Sequence, residues 1–135
     1  MLERRFPRAL GSLEAMFEFV AVFARAEGLD EAQAFETGLV LEELFTNQVK
    51  YNPASARELE VRLEREARNV ILTLRDPDAE PFDPGRAPEI DVGRSLLERK
   101  PGGLGLHLVR RIARRIDYDY RDRCSTITVS LGAES

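Results

Sequence analysis

Residues 39–52 read LVLEELFTNQVKYN, and the spacing of this stretch predicts a helix that packs on a core. Its core-facing apolar side chains recur at helical intervals and form one stripe: Leu41, Leu44, Phe45 and Val49. Three polar residues fall on another side. At about 100° per residue, Asn47 lies about 40° from Glu43, and Lys50 lies about 20° away in the other direction. A carboxylate, an amide and an ammonium group therefore converge within two turns.

This trio has the chemistry needed to hold a metal-bound phosphate. The amide oxygen of Asn47 can bind a cation, the ammonium of Lys50 can bind phosphate, and the carboxylate of Glu43 can accept a proton. The alternative is a solvated polar face, which is common on surface helices. The helix by itself favours that alternative.

A second segment, residues 101–106, reads PGGLGL and precedes an amphipathic run at 107–116. Glycines at the start of a helix allow the backbone to approach an anion, and the free N–H groups of the first turn favour phosphate. The spacing differs from that of the dinucleotide-binding motif, and no Lys-Ser/Thr pair follows as in a phosphate-binding loop. The alternative is a glycine-rich turn that caps the helix.

Composition is that of a soluble globular chain with a single domain spanning residues 1–135. The chain is 43% hydrophobic and 33% charged, with a formal net charge of −4 and a pI near 5.2. Such a balance offers no general attraction to nucleic acid or to an anionic membrane.

Cysteine and histidine are too few for a disulfide or a structural zinc site. Cys124 is the only cysteine and His107 the only histidine. A histidine nucleophile or base at His107 is conceivable, but no orienting carboxylate is evident. The first residues have no apolar signal sequence, and no apolar run is long enough to span a bilayer. We therefore expect a cytoplasmic protein.

The first third of the chain predicts a short strand and two helices. The strand covers residues 2–6, and a first helix covers 9–27 with a core side of Leu13, Met16, Phe17, Val20 and Phe23. Gly28 suits the position after its end. Asp30 and Gln33 have the spacing of a capping box, so the second helix begins there and ends at Asn52-Pro53.

The rest of the chain predicts four strands, a long loop and one helix. Alternating residues indicate a hairpin at 58–64 and 70–74, and two later strands at 116–120 and 126–131. Between them, the proline-rich stretch 77–101 is interpreted as a lid, and a helix is expected at 103–115. The order predicts an α+β two-layer sandwich whose sheet is mixed, mostly antiparallel, and covered on one face by three helices.

Three motifs in this order resemble those of the GHKL superfamily of ATP-binding domains. Within it, the chain is most similar to the small stand-alone branch of anti-sigma factors and switch serine kinases. The motifs are Glu43-x-x-x-Asn47-x-x-Lys50-Tyr51, Asp76 to Pro84, and Gly102-Gly103-Leu104-Gly105-Leu106 followed by Leu108-Val109. The resemblance covers about residues 9–131.

The resemblance implies ATP and Mg²⁺ as cofactors and assigns a role to each motif residue. Asn47 would bind Mg²⁺, Glu43 would be the general base, and Lys50 would contact phosphate. The glycines that would wrap the phosphates are Gly102, Gly103 and Gly105. Glu42 points about 100° away from Glu43 and is expected to be peripheral.

The adenine contacts implied by the resemblance are Asp76 and Thr126. Asp76 would accept a hydrogen bond from the adenine amino group, and Thr126 would help to hold the base. The alternatives are a turn residue at the end of a strand and an ordinary strand threonine. The family usually has Asp-x-Gly here, whereas this chain has Asp76-Pro77-Asp78, so Asp78 is a second candidate for the purine contact.

The function implied by the resemblance is that of a bacterial regulator that binds Mg·ATP. It would phosphorylate a serine or threonine of a STAS-type anti-anti-sigma partner, could sequester a sigma factor, and would form a homodimer. One alternative, motivated by the missing glycine, is a nucleotide-sensing or protein-binding module without kinase activity. Another is an isolated histidine-kinase catalytic domain.

Overall fold

The computed structural model describes residues 1–51, 56–79 and 109–132. Its five strands are β1 (Leu2–Phe6), β2 (Leu59–Glu66), β3 (Asn69–Asp76), β4 (Arg115–Arg121) and β5 (Cys124–Gly132). A 3₁₀ turn at Leu10–Ser12 leads into α1 (Leu13–Glu27), and α2 covers Glu31–Tyr51. Residues 109–112 are also helical. The predicted α+β fold is thus confirmed.

The strands form one sheet in the order β1-β2-β3-β5-β4. All four pairings among the described strands are antiparallel, in agreement with the mostly antiparallel sheet that was predicted. Successive side chains alternate between the two faces, so the inner strands β2, β3 and β5 contribute every second residue to the core along most of their length. The edge strands contribute less: β1 buries Phe6, and Ile116 and Tyr118 of β4 are partly buried. The buried strand residues pack with those of both helices in one cluster, which also includes Val109. One face of the sheet is therefore covered by helices.

The first helix begins later than predicted and buries a different phenylalanine. Residues 10–12 form a 3₁₀ turn, in which the Ser12 hydroxyl donates to the carbonyl of Pro7. Phe17 was predicted in the core, but it is 44% exposed. Phe19 is buried instead and contacts the ring of Phe6 edge-on, with 5.6 Å between the ring centroids. The core stripe of α1 is therefore rotated relative to the prediction.

Two capping features predicted from the sequence fix the α1–α2 junction. Gly28 adopts the left-handed conformation, with φ 69° and ψ 35°, and its N–H donates to Ala24. The Gln33 N–H donates to the Asp30 carboxylate at 2.7 Å, and the Asp30 N–H donates to the Gln33 side chain at 3.4 Å. Both predictions are confirmed, so local sequence determines where the chain turns between the helices.

The two hairpin turns use non-glycine residues with positive φ. Ala67 has φ 57° between β2 and β3, and Asp122 and Arg123 have φ 49° and 66° between β4 and β5. Two successive positive φ values suit a two-residue hairpin loop, because its twist matches that of the strands. The final strand starts at Cys124, two residues before its predicted start.

The predicted helix at 103–115 is described only at its end. Helical structure stops at 112, and β4 begins at Arg115, so the helix ends three residues earlier than predicted. Its end is fixed because the Arg114 N–H donates to the carbonyl of Ser130. Of the predicted lid at 77–101, only residues 77–79 lie among those described. Neither α1 nor α2 has an apolar stretch of the length needed to cross a bilayer.

We predict that Gly28→Ala lowers the free energy of unfolding by about 1 kcal/mol, because a side chain strains the left-handed backbone. No atom lies within 4 Å of the site of the added methyl group, so crowding contributes nothing. Gly11→Ala is the matched control, since its surroundings are equally open and its φ lies outside the positive range. Urea unfolding followed by circular dichroism measures both; an equal change in the two variants would contradict the prediction.

Candidate functional site

The second half of α2 carries the polar trio singled out in the sequence. Asn47 is buried at 3% exposure, Glu43 is partly buried and Lys50 is exposed. The side-chain amide nitrogen of Asn47 donates to the Glu43 backbone carbonyl at 2.6 Å. This bond fixes the amide and leaves its oxygen as the atom available to bind a cation.

Glu43 has the environment expected of a proton acceptor. Its Oε1 atom is buried and has no hydrogen-bond partner among the described residues. Burial raises the pKa of the Glu43 carboxyl, the negative charge of Glu42 raises it further, and the positive charge of Lys50 lowers it. A carboxylate with a raised pKa and an unsatisfied oxygen binds a proton more readily than an ordinary surface glutamate.

Gln48 connects this part of α2 to the end of β3. Its amide nitrogen donates to Asp76 Oδ2 at 2.8 Å, and both residues are buried. Since Gln48 follows Asn47 directly, the bond brings the trio close to the residue predicted to contact adenine. The structure therefore brings Asp76 together with the α2 residues, although they are distant in the sequence.

The carboxylate of Asp76 is already paired with a residue that the sequence did not indicate. Arg8 donates from Nη1 to Oδ2 at 2.8 Å and from Nη2 to Oδ1 at 2.7 Å. The side chains are 2% and 0% exposed, respectively. A third bond runs from Arg8 Nε to the carbonyl of Arg57 at 3.2 Å. All three nitrogen atoms of the guanidinium group thus donate hydrogen bonds, two to Asp76 and one to Arg57.

Asp78, the second purine candidate, lies just beyond this pair. Its N–H donates to Asp76 Oδ1 at 2.9 Å, and its carboxylate accepts a bond from Arg123 Nε at 2.9 Å. The Asp78 side chain is 33% exposed, so it is more accessible than Asp76. Ala79 follows with its N–H bonded to Arg123 and its carbonyl to the Tyr120 hydroxyl.

Thr126 and Asp76 lie on opposite faces of the sheet. In the β3–β5 register, Thr126 faces Arg75, and Asp76 faces Ser125. Thr126 lines a shallow depression of about 300 Å³ on the face without helices, together with Glu60 and Arg75. Ser125 is buried on the helical face, and its hydroxyl has no hydrogen-bond partner among the described residues. The hydroxyl beside Asp76 is therefore that of Ser125.

The chemistry of the donor set fits Mg²⁺ better than a transition metal. The described residues contain no group of three or more histidine, cysteine, aspartate or glutamate side chains placed to hold a metal. Mg²⁺ commonly keeps several waters and binds one or two protein oxygens together with substrate phosphates. One amide oxygen at Asn47, near an acidic side chain, is compatible with that mode.

Other predicted site residues lie outside the described residues. They include the three glycines expected to wrap the phosphates, Gly102, Gly103 and Gly105, and also His107. That the three glycines lie near Glu43 and Asn47 is therefore still a prediction from the sequence.

Three residues near the site were not found from the sequence: Arg8, Gln48 and Ser125. Arg8 could not be found, because its partner lies 68 residues away and nothing local marks the pair. Ser125 could have been found from strand alternation, since it has the parity of Ile127 and Val129.

Comparisons with known proteins agree with this architecture. A model of the histidine kinase-like ATPase domain matches residues 6–131. The serine/threonine-protein kinase BtrW of Bordetella bronchiseptica is 30% identical over 98 residues, which cover 71% of this chain and 68% of that protein.

Two solved structures share the fold. One is the SiaB–SiaC complex from Pseudomonas aeruginosa, with a TM-score of 0.69, 13% identity and coverage of 97% of this chain and 89% of that chain. The other is the histidine kinase AdeS of Acinetobacter baumannii, with a TM-score of 0.53, 17% identity and coverage of 100% and 69%. Since the family model spans nearly the whole chain, this protein belongs to the histidine kinase-like ATPase domain family.

Proposed function

We propose that this protein is a Mg·ATP-dependent serine/threonine kinase that phosphorylates a small STAS-type anti-anti-sigma protein. The observation that carries the proposal is the arrangement on α2. A partly buried glutamate with an unsatisfied oxygen lies one turn from an asparagine whose amide nitrogen is bonded to the backbone, so that its oxygen takes no part in that bond. Membership of an ATPase family and the kinase relative BtrW support the same reaction class.

The roles of the α2 residues follow from their chemistry. Asn47 would hold Mg²⁺ through its amide oxygen, and the ion would supply positive charge beside the phosphates. Lys50, exposed at the last turn of the helix, contacts a phosphate oxygen. Glu43 accepts the proton of the attacking hydroxyl. Phosphoryl transfer depends mainly on such positioning and charge neutralisation.

The remaining part of the nucleotide site is proposed from the sequence and from the strand register. Gly102, Gly103 and Gly105 approach the phosphates through their backbone N–H groups. Ser125 replaces Thr126 as the hydroxyl near the base, because Ser125 shares the helical face with Asp76.

The proposed pathway is partner switching in the cytoplasm. Phosphorylation removes the STAS protein from competition, so the kinase becomes free to sequester a sigma factor, and the kinase acts as a homodimer. The relative of known structure from Pseudomonas aeruginosa was solved as a complex of SiaB with SiaC, which accords with a protein partner.

One observation favours a second candidate, a nucleotide-sensing or protein-binding module without kinase activity. The carboxylate expected to bind adenine is occupied by Arg8 and Gln48. If Asp76 were the indispensable base contact, this pairing would weaken nucleotide binding.

Two measurements on the purified chain separate these functions. Calorimetric titration with Mg·ATP measures binding, and incubation with γ-labelled ATP and a STAS protein of the same organism measures transfer. The kinase proposal requires both, together with acid-stable phosphate on the partner. Binding of ATP without transfer of phosphate supports the nucleotide-sensing module. Acid-labile phosphate on the partner supports a histidine kinase domain.

We predict that Glu43→Gln lowers the rate of phosphate transfer by about 100-fold or more, because the amide cannot accept the proton. ATP affinity should stay within about threefold of wild type, since the side chain keeps its size. Glu42→Gln is the matched control and should retain most activity. Transfer by Glu43→Gln at the wild-type rate would disprove the role of Glu43.

We predict that Asn47→Ala removes the dependence of ATP binding on Mg²⁺, because the methyl group offers the ion no oxygen ligand. Calorimetry with and without Mg²⁺ measures the dependence in both proteins. Circular dichroism shows whether the helix persists after loss of the amide bond to Glu43. A folded variant that still gains affinity from Mg²⁺ would exclude Asn47 as the ligand.

We predict that the Glu43 carboxyl of the nucleotide-free protein titrates above the ordinary glutamate pKa, as burial and Glu42 require. The charges of Glu42 and Lys50 determine the direction in which each substitution shifts the pKa of Glu43. Glu42→Gln should lower the pKa of Glu43, and Lys50→Met should raise it. Carbon-detected NMR of the side-chain carboxyl measures all three proteins; shifts of the opposite sign would contradict the electrostatic description.

A further inference from the structure

We propose that Asp76 is the internal partner of Arg8 in this chain, and that the nucleotide base is recognised without this carboxylate. The inference rests on the proposed nucleotide site and assigns the base subsite differently from the family motif. Arg8 is then a positioning residue that holds Asp76, α2 and the N-terminal arm together.

The first argument is the number of donors already on the carboxylate. Asp76 accepts two bonds from Arg8, one from Gln48 and one from the N–H of Asp78, all between 2.7 and 2.9 Å. A carboxylate has about four acceptor sites. The donors from the described residues alone already match its capacity, and an adenine amino group would have to displace one of them.

The second argument is the relative strength of the competing contacts. Arg8 makes two charge-assisted bonds to Asp76, whereas an amino group of a neutral base would make one neutral-donor bond. Displacing Arg8 would also separate a buried guanidinium from a buried carboxylate, which are 2% and 0% exposed. Separating such a pair is far more costly than one new hydrogen bond can offset. Displacing Gln48 instead would leave its buried amide nitrogen without the partner it has now.

The third argument is the place of Arg8 in the fold. It lies between β1 and the turn that leads into α1, and its Nε is bonded to the carbonyl of Arg57, just before β2. Asp76 ends β3, and Gln48 belongs to the last turns of α2. The Arg8–Asp76 pair thus connects four segments of chain, as expected of a structural anchor.

Thermal unfolding tests the anchor without any nucleotide. Arg8→Met should lower the melting temperature by about 10 °C or more, since it leaves a buried carboxylate without its counter-charge. The double variant Arg8→Met/Asp76→Asn should melt higher than Arg8→Met, because no buried charge remains. If Arg8→Met does not fold, recovery of a folded protein in the double variant still tests the anchor.

The control for this experiment is the exposed pair of Arg62 and Glu3, whose side chains are 45% and 49% exposed and 3.2 Å apart. Arg62→Met should change the melting temperature by less than about 2 °C, because exposed pairs contribute little. If Arg8→Met lowers the melting temperature no more than Arg62→Met does, Arg8 and Asp76 do not form a structural anchor.

Base selectivity tests the second half of the proposal. The ratio of Mg·ATP to Mg·GTP affinity should be the same, within about threefold, in wild type and in Arg8→Met/Asp76→Leu, because leucine, unlike asparagine, keeps no acceptor oxygen at position 76. If Asp76 reads the adenine amino group, the ratio will instead collapse in the folded Arg8→Met/Asp76→Leu protein, and the proposal fails. If wild type binds neither nucleotide, the proposed kinase function fails, whereas the thermal comparison still decides whether Arg8 and Asp76 form the anchor.

Discussion

The burial of one carboxylate, Asp76, constrains everything around the candidate site. An ionised group that solvent cannot reach requires an opposite charge and hydrogen-bond donors. Arg8, Gln48 and the N–H of Asp78 supply them, and each comes from a different segment of the chain. The N-terminal arm, the end of α2 and the start of the segment after β3 must therefore meet at one point. The position of the catalytic candidates on α2 depends on that meeting point.

The second half of α2 contributes to the core, to this anchor and to the candidate site at once. Leu41, Leu44 and Phe45 are almost fully buried against the sheet. Gln48 lies between the core side and the polar side and bonds to Asp76. Because a helix is rigid, holding Gln48 also holds its neighbour Asn47, and Asn47 is bonded in turn to the Glu43 carbonyl. The side-chain amide of Gln48 thus connects the packed core of α2 to the candidate site.

Local patterns allowed most of the fold to be predicted, and long-range pairing limited the rest. The capping box at Asp30 and the turn at Gly28 depend only on neighbouring residues, and both were predicted correctly. Phe17 and Phe19 are two residues apart in α1, and Phe19 is the one that shares the helical spacing of Met16 and Phe23 and contacts Phe6 of β1. Arg8 pairs across 68 residues, so no local signal marks it. The motif resemblance suggested Thr126, although strand parity places Ser125 beside Asp76.

The distribution of satisfied and unsatisfied polar groups indicates which face of the sheet carries the chemistry. On the open face, Arg75 pairs with Glu60 at 2.8 Å, and this contact raises the pKa of Arg75. On the helical face, Glu43 Oε1 and Ser125 Oγ are buried without partners among the described residues. Each such group costs about 1–3 kcal/mol, and native proteins contain few of them. Glu43 precedes Asn47 by one turn of α2, and Ser125 is in register with Asp76. These two buried oxygens lower the stability of the fold. Such a loss of stability is expected where polar groups are arranged to bind a ligand.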